Sequence, residues 1–299
     1  MTEGAREEAL QRVTRLAIWS GPVEPRPLEG GISNHNFLVE DHGRRCVVRV
    51  AADNLVHGVL RASELAASRA AYAAGLAPAV LHAEPGILVI DFIEGRTFTA
   101  ADVRDPGNLD RLIDLVRRCH RDIPHHLRGP GIMFWVFHVL RDYAHTLREG
   151  QSPHLGMLPG LLERAATLEA AIGPIDLVFG HNDLLAANIV DDGRRLWLLD
   201  WEYAGFNSPL FDLGGLASNS ELSPVHTEAL LEAYFHRPVD AALRRRAAAM
   251  TAASLLREVM WSMVSEIHSS LAFDYVAYTA ENLARLEAAW QRFSELEPE

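Results

Sequence analysis

Between Leu177 and Trp201 the chain carries short apolar runs in a stretch otherwise patterned for helices. Leu177-Val-Phe leads into a polar loop, Gly180–Asn188. Ile189-Val190, the turn Asp192-Gly193 and the run Arg195–Trp201 follow. An Asp-Gly pair flanked by short apolar runs is a hairpin signal. A β island embedded among helices excludes an all-helical bundle and a regular alternation of strand and helix.

The rest of the pattern divides in two. Before residue 95 the sequence reads as an amphipathic N-terminal helix, then strands at Asn36–Glu40 and Cys46–Val50 across the turn Asp41-His-Gly43. A helix over 61–74 follows, closed by Gly75 and Pro78, and then a strand at Ile87–Ile90. After Gly95, helices are expected over 107–121, 132–149, 159–172, 225–236, 239–268 and 275–293. The expected fold class is α+β, with a β-rich lobe over 1–94, a larger and mainly helical lobe over 95–299, and a ligand cleft between them.

Composition narrows the function classes. A net charge of −12 argues against nucleic acid and anionic membranes as partners and is compatible with a cationic one. No apolar run approaches the roughly 18 residues of a membrane helix, and residues 1–19 lack the apolar stretch of a secretion signal, so a cytoplasmic protein is expected. Cys46 and Cys119 are too few for a disulfide framework and read as small buried hydrophobes. The fourteen histidines show no zinc spacing. A homodimer is compatible with the sequence but not required by it.

The β island also carries chemistry. His181-Asn-Asp-Leu-Leu-Ala-Ala-Asn188 offers a carboxylate, Asp183, and a carboxamide five residues on, Asn188; a second carboxylate, Asp200, closes the hairpin. Phosphoryl transfer needs one group to orient a hydroxyl and take its proton, and oxygen ligands to hold Mg²⁺ against phosphates. Asp183 suits the first task; Asn188 and Asp200 suit the second. The spacing matches the protein-kinase pattern, but Asn182 stands where protein kinases carry Arg and Glu202 where they carry Gly. In this form, H-N-D-L-x-x-x-N with D-W-E-Y-A-G, the segment resembles the aminoglycoside phosphotransferase and choline kinase superfamily.

That resemblance implies a bilobal protein-kinase-like fold and ATP with Mg²⁺ as cofactors. Leu28–Asn34 resembles the nucleotide loop of the choline kinase branch, with Gly30 and Gly31 letting backbone approach phosphates and Ser33 and Asn34 donating hydrogen bonds. Arg49 is a strand cation expected to pair with the phosphates, held by Glu64 on the next helix. Asp91–Arg96 looks like the hinge, where backbone groups from Asp91 to Ile93 would meet adenine. Asp212 resembles the family's structural aspartate bracing the catalytic loop.

For the acceptor, the segment from Trp261 to Tyr278 resembles choline and ethanolamine kinases, whose Trp and Tyr at these two positions wall a pocket for a quaternary ammonium by cation–π attraction. The family's second aromatic, three residues before the Trp, is Glu258 here. Its acidic residue seven after the bracing Asp is Asn219, with Glu221 displaced by two. Glu258 could pair a primary or secondary amine, and Glu202 could face the acceptor or a second metal ion. The sequence thus points to an ATP-dependent kinase of an amino alcohol such as choline or ethanolamine. An aminoglycoside or polyol acceptor on the same fold, and an inactive nucleotide-binding module, remain as alternatives.

Overall fold

The computed structural model describes residues 3–28, 34–269, 271 and 273–296. Gly30, Gly31 and Ser33 lie outside the described residues. The N-terminal layer is an antiparallel sheet of β1 (Arg26–Pro27), β2 (His35–Asp41), β3 (Arg44–Val50), β4 (Val80–Glu84) and β5 (Ile87–Asp91), ordered β1-β2-β3-β5-β4. His42 and Gly43 join β2 to β3 with φ of 48° and 81°. Two positive φ values in a two-residue loop give the twist that suits a tight hairpin.

Strand alternation sorts β3 by face. Cys46, Val48 and Val50 are buried on the outer face, where α1 (Glu3–Thr14) and the turn after it lay Ala9, Val13 and Leu16 over them, forming a small separate core. Val47 and Arg49 therefore face inward, toward α2 (Arg61–Ala73) and the cleft below the sheet. The Cys46 side chain is part of that small core, and Cys119 is buried in the larger one.

The second part contains β6 (Arg96–Thr97), α3 (Ala100–Arg104), α4 (Leu109–Asp122), α5 (Val136–Glu149) and α6 (Leu158–Ile172). Then come β7 (Val178–Gly180), β8 (Ile189–Asp191), β9 (Leu196–Leu198), β10 (Gly205–Asn207) and α7 (Pro209–Asn219). The chain ends with α8 (Pro224–Phe235), α9 (Ala241–His268) and α10 (Tyr275–Ser294). α9 is the axis of the fold, packing against α5, α6, α7 and α10. From Met250 to Ser265 it is buried on most sides, which explains a sequence that is apolar almost all round rather than striped. Among the described residues, no helix is long and apolar enough to cross a membrane.

The expected helix over 132–149 begins only at Val136. Residues before it are drawn into an extended pairing with β10: the Phe134 amide donates to Phe206 O at 2.9 Å, and the Phe206 amide to Ile132 O at 2.7 Å. Gly205 permits this approach, since a Cβ there would stand 2.7 Å from Ile132 O. The run Arg195–Trp201 is strand only as far as Leu198, and Leu199–Trp201 leave it as a loop.

Candidate active site

The loop after β7 is held from beneath by Asp212, buried on α7. Its Oδ2 accepts the His181 amide and its Oδ1 the Asn182 amide, both at 2.7 Å. His120 on α4 donates Nε2–H to Oδ2 at 2.9 Å, and the Tyr234 hydroxyl meets His120 Nδ1 at 2.7 Å. Burial pushes the Asp212 carboxyl up, but His120 and His181 more than offset this and hold it below the usual range. Asn182 sits at φ 64°, where asparagine is tolerated and most side chains are strained. Its side-chain Nδ2 donates to Tyr203 O at 3.0 Å and Gly205 O at 3.2 Å, so the strained turn is over-determined.

This turn presents Asp183. Asn188 Nδ2 donates to Asp183 O at 3.0 Å and stands 3.5 Å from its Oδ2. The Leu199 amide donates to Asn188 O at 2.8 Å, so the β8–β9 hairpin delivers Asp200 beside the loop with φ 68°. Burial pushes the Asp183 carboxyl up to about 8; Arg257 opposes this, and Glu258, Asp200 and Glu202 reinforce it. A carboxylate that binds a proton near neutral pH suits a general base.

Above the loop, charges from both layers interlock. Arg49 Nη1 donates to Glu64 Oε1 and to Asp200 Oδ1, the latter at 2.6 Å. Burial acts to lower Arg49, but Asp200, Glu64 and Glu202 hold it above its ordinary range. Arg61 Nη1 bridges Glu64 Oε2 at 2.7 Å and Glu202 Oε2 at 2.9 Å, while Asn34 Nδ2 donates to Glu202 Oε2 at 2.9 Å and Asn34 Oδ1 accepts from Arg61 Nη2 at 2.9 Å. Burial, then the Asp200 charge, pushes the Glu202 carboxyl up. Arg61 was not singled out from the sequence, although its position three before Glu64 at a helix start was a signal.

Asn188 Oδ1 and Asp200 Oδ2 accept no hydrogen bond among the described residues, which leaves both oxygens available to a cation. No cluster of three or more His, Cys, Asp or Glu that could hold a metal occurs among the described residues. Such a sparse set fits Mg²⁺, which keeps waters and phosphates as most of its ligands. At the hinge, the Asp91 amide donates to Ala79 O and the Phe92 amide to Arg45 O, and the Asp91 carboxylate takes a two-pronged pair from Arg44 at 3.0 Å. Of the three hinge amides, Ile93 alone makes no bond to the protein among the described residues.

A cavity of about 520 Å³ opens beside Glu202, walled by Trp261, Tyr203, Tyr275, His57 and Arg61. Trp261 Nε1 donates to the Tyr203 hydroxyl at 3.1 Å, and the indole stands 5.1 Å from the His57 ring and edge-on to Tyr275 at 5.9 Å and Tyr278 at 6.4 Å. Tyr278 does not line this cavity. Its hydroxyl donates to Glu258 Oε1 at 2.7 Å. Glu258 shares a second, smaller recess with Asp183, Asn219, Ser254 and Arg257. Glu221 lies apart from it, in a separate groove lined by α7, α8, α9 and α10. Tyr203, Tyr275, His57 and Arg257 were missed. Only Arg257 had a signal, as a charge inside the apolar run of α9.

Comparison with known proteins agrees with this geometry. The model of the phosphotransferase enzyme family (APH) matches residues 24–249. The chain is 27% identical to Protein LicA of Haemophilus influenzae over 279 residues, 89% of this chain and 79% of that one. It is 30% identical to mouse ethanolamine kinase 2 over 203 residues, 64% of this chain and 52% of that one. A solved choline/ethanolamine kinase family protein from Mesorhizobium loti superposes with a TM-score of 0.77 at 28% identity, covering 96% of both chains. The choline kinase LicA of Streptococcus pneumoniae has the same fold, with a TM-score of 0.77 at 20% identity over 96% of this chain and 100% of that one. The braced Asp183 loop and its hairpin thus sit in a known frame, and the chain belongs to the phosphotransferase enzyme family, as a relative of the choline and ethanolamine kinases.

Proposed function

We propose that this protein is an ATP- and Mg²⁺-dependent kinase that phosphorylates the hydroxyl of a small amino alcohol such as choline or ethanolamine. The observation that carries the reading is the convergence of Asp183, Asn188 and Asp200 from one loop and the hairpin after it, beside an aromatic-walled cavity and two further carboxylates, Glu202 and Glu258. In this reading residues 1–94 hold the nucleotide and residues 95–299 carry the catalytic and acceptor-binding groups.

Asp183 accepts the proton of the acceptor hydroxyl as its oxygen attacks the γ-phosphorus in line with the departing ADP oxygen. The phosphoryl group comes from ATP, and a bound Mg²⁺ would offset the negative charge that builds on the leaving oxygens. Asn188 and Asp200 would hold the metal. Arg49 would turn from Asp200 to the phosphates, with Glu64 keeping its other contact. The Asn34 side chain, tied to Glu202 and Arg61, fixes the edge of the nucleotide site. The ring of Trp261 would attract a cationic head, and Glu202 and Glu258 add anionic charge. A relative, LicA, has been solved with AMP, which supports nucleotide binding here.

An ATP-coupled assay over choline, ethanolamine, thiamine and aminoglycosides tests the reading. Turnover of choline or ethanolamine is expected, with kcat/KM above that for the others. Turnover of aminoglycosides alone would move the acceptor to amino sugars. ATP binding without any acceptor turnover would point to an inactive nucleotide-binding module.

A further inference from the structure

Arg257 is the buried charge that the mechanism above does not use. It projects from the buried stretch of α9, with its side chain 5% exposed. Nη1 lies 3.2 Å from Glu258 Oε2 and 3.9 Å from Asp183 Oδ1. The guanidinium carbon rests 4.4 Å above the centroid of the Tyr203 ring. Nε and Nη2 are buried with no hydrogen-bond partner. A buried guanidinium with two unbonded nitrogens is costly, and an apolar side chain of similar volume usually serves stability as well or better. Besides the rings of Tyr203 and Phe134, its contacts go to the two carboxylates of the small recess beside the catalytic loop.

Those two carboxylates come from different elements, Asp183 from the loop after β7 and Glu258 from α9, and like charges facing one recess repel. Arg257 is the group wedged between them. Glu258 is also fixed at its other oxygen by the Tyr278 hydroxyl. We propose that Arg257 is a positioning residue that sets acceptor selectivity. By strapping Asp183 to Glu258 it fixes the distance between the carboxylate that takes the hydroxyl proton and the carboxylate that receives the acceptor nitrogen. The proposal rests on the kinase reading above and deepens it. The recess measures the spacing between hydroxyl and amine in an acceptor whose nitrogen bears N–H groups, because a carboxylate held at both oxygens offers directional lone pairs.

The test compares wild type, Arg257→Met and Arg257→Lys with 2-aminoethanol and 3-amino-1-propanol as acceptors, reading kcat and KM for each and KM for ATP. Wild type should prefer one acceptor by about tenfold or more, the discrimination one methylene commonly supports. Arg257→Met should lose about 100-fold in kcat for the preferred acceptor, as expected when a reacting group is misplaced by about an ångström. Its KM for ATP should not change, and the preference between the two alcohols should shrink. Arg257→Lys, which keeps the charge without the fork, should recover part of both. Should Arg257→Met fail to fold, the Lys variant decides alone, with kcat and the acceptor ratio both moved. Folded variants with wild-type kcat and an unchanged acceptor ratio overturn the proposal alone. A wild type that turns over no amino alcohol overturns the kinase reading and the proposal together.

Discussion

Asp183 is placed by groups that sit behind it. Asp212, His120 and Tyr234 form a buried chain that ends in the amides of His181 and Asn182, so the carboxylate is aimed before any ligand arrives. Removing it should therefore cost chemistry rather than architecture. Asp183→Ala is expected to lower kcat by about 10² to 10⁴-fold, the range for a positioned general base. Nucleotide affinity by calorimetry should stay within about twofold of wild type. A variant that phosphorylates its acceptor at the wild-type rate would remove Asp183 from the role of base. At this scale the site was legible where its parts are neighbours in sequence: Asp183, Asn188 and Asp200 lie on one loop and one hairpin, so their spacing carried the information. Arg257 and Tyr203 meet Asp183's surroundings only through the packing of α9, and no local spacing encodes that.

The short turn Leu55–His57 shows the same limit at the scale of elements. It leaves the N-terminal layer and inserts His57 between α5 and α9, where Nδ1 meets the Tyr143 hydroxyl at 3.2 Å and Nε2 meets Ser265 Oγ at 3.1 Å. Sequence periodicity located α2, α4, α6 and α9 because each carries its own pattern of burial. It left out β4, β10 and α7, whose residues are set by partners elsewhere in the chain; β10 exists as a strand through its pairing with β7. The His57 insertion has a measurable consequence. Burial pushes the ring down to about 3, with Arg257 and His268 acting in the same direction, whereas an unfolded chain takes up the proton near 6.5. Between those values the unfolded state holds the extra proton, so this contribution to stability is complete above pH 6.5 and is lost as pH falls toward 3. The slope approaches about 1.4 kcal/mol per pH unit. Urea unfolding of wild type and His57→Gln at pH 7.5 and 5.5 checks this. Wild type should lose about 1 kcal/mol more than the variant over that interval, and parallel losses would show that His57 titrates alike in both states.

At the scale of the molecule, the N-terminal layer and the helical part are joined through charges: Arg49 to Asp200, Arg61 to Glu202, and the Asn34 side-chain amide to Glu202. Asp200 has one oxygen on Arg49 and one without a partner among the described residues, so the proposed metal ligand is paired with the cation proposed for the phosphates. In the proposed reading, ATP with Mg²⁺ would replace that direct pair by a bridge, with Arg49 on the phosphate side and Asp200 on the metal side. The bridge still ties both layers together, so binding should stabilise the whole chain rather than one layer. At a nucleotide concentration 100-fold above Kd the gain is about 2.7 kcal/mol. At about 2–4 °C per kcal/mol for chains approaching this size, the melting temperature should rise by roughly 5 °C or more. Two changes should diminish that rise. Chelating the metal with EDTA leaves Asp200 with Arg49 and the phosphates without their counter-charge, and Arg49→Met removes the cation while Arg61 still satisfies Glu64. Differential scanning fluorimetry with ATP alone, with Mg²⁺ alone and with both separates these contributions. A full rise in the Arg49→Met variant, or one indifferent to EDTA, would mean that the nucleotide is held without this bridge and that the Arg49–Asp200 pair is a permanent joint of the fold.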